Sequence, residues 1–197
     1  MQGSKIRLSD AEMELFCNTE IILTKNSIVK KIVSLLEEVQ EVVEQEASVK
    51  QQQFFTPGKI SKGENYQGLP YVILDYPRIS KNQELFFIRS MCWWGNFFSS
   101  TLQLSGSYKK QNRKKLEDAY KVLSNSNYYI GINNDPWIHH FEENNYKKIN
   151  SLSKEAYLMI LKETQYIKIA ARWPLQEWDS AANKLSESWK FLMGLIT

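Results

Sequence analysis

The side chains of this chain whose types and spacing can do chemistry gather in two short stretches. The first is Asp75-Tyr76-Pro77-Arg78, followed by Arg89; the second is His139-His140-Phe141-Glu142-Glu143, which holds both histidines. Arg89 stands inside an apolar run from Leu85 to Trp94. A charge in such a run has to be paired or partly solvated. Two uses of it stay open. A cross-strand ion pair between Arg89 and Asp75 helps set strand register. Alternatively, an arginine lining a pocket beside Asp75, Tyr76 and Arg78 holds an anionic ligand.

Trp93-Trp94-Gly95-Asn96 places two indoles beside a tight turn. They either stack on a flat aromatic or sugar ligand or fill the two sides of a covered sheet. Trp137 to Phe141 reads as a strand, and neighbours on a strand point to opposite faces, so at most one of His139 and His140 serves a given site. A catalytic zinc usually takes three protein ligands, and this pattern does not supply them. The candidate ligand-binding set is therefore Asp75, Tyr76, Arg78, Arg89, Trp93, Trp94 and His140. No catalytic residue, metal or cofactor is assigned, because the sequence carries no phosphate-binding or dinucleotide glycine loop, no nucleophile elbow and no cysteine pairs at zinc spacing.

The charge balance narrows the partners. The chain is formally +3. Residues 1–50 carry 6 basic and 9 acidic side chains, residues 51–110 carry 7 and 3, and the rest 12 and 10. The excess is small and spread out, and the cluster Lys109-Lys110 with Arg113-Lys114-Lys115 lacks interleaved aromatics, so nucleic acid is not the expected partner. The N-terminus shows no signal-peptide pattern and no apolar run approaches a membrane span. Cys17 and Cys92 sit among apolar neighbours, which predicts buried free thiols. The expected compartment is cytoplasmic.

The elements that must position these residues begin with a seven-residue repeat of apolar doublets: Ile21-Ile22, Ile28-Val29, Leu35-Leu36 and Val42-Val43, with Ile32 and Val39 between them. This predicts one long helix with a wide apolar face, from about Thr19 to Ala47. A shorter helix precedes it, starting at a capping box of Ser9 and Glu12 and ending at Asn18-Thr19. Residues 48–68 read as loop, pinned by Phe54-Phe55. Tyr71–Tyr76, Leu85–Trp94 and Phe97–Leu104 read as an antiparallel meander whose second turn is the Gly95-Asn96 pair. A helical pattern follows from Ser107, then short strands at Tyr128–Ile132 and Trp137–Phe141. Ser153 caps a helix expected to run to about Arg172. Pro174 opens a last helix with a seam through Trp178, Ala182, Leu185, Trp189, Leu192 and Ile196.

The predicted architecture is a single α+β domain over 1–197: a long N-terminal helix on a meander of three to five strands, completed by two C-terminal helices. Two classes of function stay open. One is a non-catalytic binding or interaction module, including a homodimer through the long helix. The other is a small-molecule binder or enzyme with a pocket at the sheet, lined by Arg89, Asp75 and Tyr76. A cleft with converging polar groups favours the second; an exposed apolar patch favours the first.

Overall fold

The computed structural model describes residues 5–49 and 56–197; Phe54-Phe55, the expected pin, lies outside them. The fold is α+β, with a long N-terminal helix, one antiparallel sheet and C-terminal helices. Helix α1 (Asp10–Cys17) starts at the expected capping box, in which Ser9 and Glu12 satisfy each other's backbone N–H groups. Helix α2 (Thr19–Val49) runs unbroken through the heptads. It buries Ile32, Leu35, Leu36, Val39, Val43 and Ala47, one stripe at helical spacing. The rest of the order is β1 (Lys59–Tyr66), β2 (Leu69–Lys81), β3 (Glu84–Trp93), β4 (Phe97–Leu104), α3 (Gly106–Asp118), α4 (Tyr120–Ser124), β5 (Tyr129–Gly131), β6 (Tyr146–Lys148), α5 (Lys154–Glu163), β7 (Ile167–Pro174) and α6 (Trp178–Gly194).

Among the described residues, seven strands make one sheet in the order β1-β2-β3-β4-β7-β5-β6, more strands than the sequence suggests. Residues paired across strands share a face, which divides the sheet cleanly. Val72, Leu74, Ile88, Cys92, Phe98, Leu102 and Ile169 face α2 and α6, where Leu185, Trp189 and Leu192 complete the core. On the opposite face, Asp75, Arg89, Thr101, Ala170 and Tyr129 form one row across five strands. That face is covered in part by the segment from 132 to 145 and holds a smaller apolar cluster of Ile73, Met91, Trp93 and Phe97.

Five expectations change. Residues 59–66 are strand, not loop. This edge strand is polar and lacks an apolar alternation, but Gln67 and Gly68, both at positive φ, join it to β2 in a two-residue hairpin. The helix expected from Ser153 to Arg172 ends at Glu163, where Thr164 turns extended and its hydroxyl donates to the Ile160 carbonyl. The β-branched alternation Ile167-Lys168-Ile169 then enters the sheet as β7 beside β4. Pro174 accordingly closes β7 and does not open α6.

Trp137–Phe141 is not a strand. Its carbonyls are met by side chains instead: Asn145 donates to Ile138 and His140, and Lys168 to Ile138. The strand partner of β5 is β6. Lastly, only Cys92 is buried; Cys17 is exposed because α1 buries no side chain.

Candidate functional site

The site is built by a bulge in β2. Asp75 pairs with Arg89 and Arg78 with Phe87, so Tyr76 and Pro77 oppose the single residue Ile88. The extra residue puts Asp75 and Arg78, three apart in sequence, on the same face of the sheet. Tyr76 turns the other way, into the core. There its ring stacks on Trp189 at 5.9 Å, and its carbonyl accepts the Trp189 indole N–H at 2.6 Å. Of the sequence-derived set, Asp75, Arg78 and Arg89 come together and Tyr76 does not join them.

Arg89 is held on several sides. Its Nε and Nη2 donate to the two carboxylate oxygens of Asp75 at 2.7 and 2.8 Å. This is the bidentate geometry that makes an arginine–carboxylate pair strong. Nη1 lies 2.9 Å from His139 Nε2. A guanidinium only donates, so Nε2 must accept, and the imidazole is neutral with its proton on Nδ1. Burial, followed by the nearby charges of Arg89 and Lys168, holds His139 well below the ordinary histidine range, in keeping with that tautomer. The rings of Trp137 and Phe87 flank the guanidinium carbon at 5.6 and 5.9 Å.

Beside this pair opens a cleft of about 600 Å³, lined by Lys59, Asp75, Arg78, Lys81, Arg89 and Trp137 among others. It has four cations and one carboxylate, and Arg89 already occupies that carboxylate. The Arg78 Nε is buried and meets no acceptor among the described residues. Thr56 caps the Arg78 carbonyl at 3.0 Å and so fixes the backbone at the cleft wall.

The remaining sequence-derived residues lie elsewhere. Trp93 is buried under Tyr66 and Phe97, its N–H donating to the Tyr66 carbonyl at 3.2 Å. Trp94, in the three-residue turn after β3, lines a separate groove against Ile21, Ile28, Leu69 and Pro70. The two indoles therefore form no common platform. His140 Nδ1 lies 2.8 Å from Gln67 Nε2 and 3.2 Å from Tyr66 Oη, at the β1–β2 turn.

Sequence reasoning missed three participants. His139, not His140, reaches Arg89. Tyr66 Oη accepts the backbone N–H groups of both histidines, at 2.6 and 3.1 Å, and so holds the covering segment over the sheet. Lys168 is fully buried, its ammonium directed at the Ile138 carbonyl and 5.1 Å from the Tyr146 ring. Burial lowers its pKa to about 8. Gly131 makes room for it, since a Cβ there would come within 2.9 Å of Lys168 Cβ. The available signal was a lone charge between two isoleucines, the same kind that marked Arg89.

Among the described residues, no three His, Cys, Asp or Glu side chains come together as metal ligands would, and no helix is long and apolar enough to cross a membrane. No family model, curated protein or solved structure matches this chain.

Proposed function

We propose that the protein is a binding module for a small anionic molecule carrying a phosphate or carboxylate group, seated in the cleft between β1, β2, β3 and Trp137. The observation that carries this reading is the charge of the lining: Lys59, Arg78, Lys81 and Arg89 face one carboxylate, Asp75, which Arg89 already occupies. An anion in the cleft supplies the acceptors those cations lack. Arg89 has two further N–H groups once Asp75 and His139 have taken three. Lys59 and Lys81 add positive charge to the lining.

Each neighbour has a role in this reading. Asp75 orients Arg89 and neutral His139 props it from behind, while the flanking Trp137 and Phe87 stiffen the guanidinium and offer a flat surface to an aromatic portion of the ligand. The lining offers positive charge and hydrogen-bond donors, which suits recognition.

The test is a thermal-shift series on the full chain with phosphate- and carboxylate-bearing compounds beside their neutral analogues. Anions raise the melting temperature, the rise shrinks with added salt, and Arg78→Gln removes it. Equal shifts from neutral analogues, or an undiminished shift in Arg78→Gln, would sink the reading.

A further inference from the structure

The N-terminal arm is the other unexplained surface. Helix α1 joins α2 through Asn18 alone and buries none of its side chains. Ile6, Leu8, Met13, Leu15, Phe16, Ile21, Ile22 and Leu23 are all exposed, Phe16 at 79%. At roughly 200 Å² for a large apolar side chain, these eight leave roughly 900 Å² open to water. One side of a standard protein interface buries about 800 Å², so the summed apolar area of the arm is of the size an interface needs.

Next to it lies the groove of about 600 Å³ between α2 and the strand turns, lined by Ile21, Thr24, Ile28, Leu69, Pro70 and Trp94. We infer that the occupant of this groove is α1 of a second copy of the chain, in a two-fold arrangement where each copy's Phe16 enters the other's groove. Charge and spacing both point to this partner. Helix α1 carries Asp10, Glu12 and Glu14 and no basic residue, while α2 between residues 25 and 31 carries Lys25, Lys30 and Lys31 and no acidic one. Lys25 is already paired with Glu64 at 2.6 Å, which leaves the exposed Lys30 and Lys31. An antiparallel register that seats Phe16 at Thr24 brings Asp10 level with residues 30 and 31, six residues and about 9 Å along each helix, where Lys31 lies one turn beyond Ile28 on the groove side. The same two-fold operation repeats every contact, as an isologous dimer requires. The buried half of α2, from Ile32 to Ala47, is taken up by its own core and takes no part.

Sedimentation velocity on the full chain, from low micromolar to about 100 µM, reads the result. The wild type gains the mass of two chains as concentration rises. Phe16→Asp weakens the dimer at least ~10-fold, as loss of a central aromatic anchor does, and melts like the wild type at concentrations where both are monomeric, because Phe16 lies outside the core. Lys30→Glu with Lys31→Glu also weakens it, and adding Asp10→Lys and Glu14→Lys to the same chain restores it. A monomer at every concentration overturns the inference, whether α1 then folds onto its own groove or binds anionic vesicles. So does a dimer indifferent to Phe16→Asp.

Discussion

On one face of the sheet, Leu74, Ile88, Leu102 and Ile169 meet α2 and α6, and shape is all that has to match. On the other face, Asp75, Gln103 and Lys168 are 6%, 4% and 0% exposed, as withdrawn from water as the core isoleucines. There a polar group needs a partner, and Gln103 Nε2, like Arg78 Nε, meets none among the described residues. Arg89 has Asp75 and His139, and Lys168 has the Ile138 carbonyl. The apolar face gains from every methylene it hides. The polar face recovers by hydrogen bonding only part of what it loses in desolvation, so its net contribution to stability is small while its orientation is strict. The contrast puts stability on one side and the proposed binding site on the other.

Three changes test this contrast. Trp189→Ala strikes the apolar face where the indole is 1% exposed and donates to the Tyr76 carbonyl. It is expected to cost about 3–5 kcal/mol in urea unfolding, the largest effect of the three. On the polar face, Asp75→Ala leaves Arg89 in place without its carboxylate and costs about 3 kcal/mol. The double variant Asp75→Leu with Arg89→Met recovers most of that loss, because it removes the charge along with its partner. If the double variant is no better than the single, the polar face contributes stability and the contrast is wrong.

The smallest effect is a pH dependence. His139 is buried and neutral, with its folded pKa held below the unfolded value of about 6.5. Its contribution is therefore complete above about pH 6.5 and is lost as pH falls, because only the unfolded chain takes up the proton. The slope approaches about 1.4 kcal/mol per pH unit between the unfolded and folded values. Chemical denaturation at pH 7.5, 6.5 and 5.5 should show that slope in the wild type and a flatter one in His139→Gln. Identical slopes would mean that the imidazole takes up a proton in the folded protein.

The apolar face was the more legible of the two, and the physical reason is repetition. The heptads of α2, the seam of α6 and the runs of β3 and β4 declare themselves because each buried residue recurs at a fixed period. The polar face has no period. Arg89 and Asp75 were legible as a pair because a charge among apolar residues needs a partner, and the same reasoning applied to Lys168 was masked by reading its segment as the tail of a helix. β1 left no apolar trace because it is an exposed edge. His139 could not be separated from His140 in sequence, since the choice depends on which imidazole the side chains of Tyr66 and Asn145 turn toward Arg89.

The bulge at Tyr76-Pro77 makes the cleft depend on a count. Facing alternates along a regular strand, so residues three apart share a face only where an extra residue intervenes. Were β2 to run regularly through Tyr76-Pro77, Arg78 would turn toward the core and leave the cleft. With one of those two residues removed, by contrast, the bulge goes too, and the aspartate and arginine, then two apart, still share a face. Descendants of this chain can therefore keep the pair at a spacing of two, or of three where the bulge is kept. Likeness of fold among such relatives is a poor guide to likeness of ligand, and the spacing and the bulge are the features to compare together.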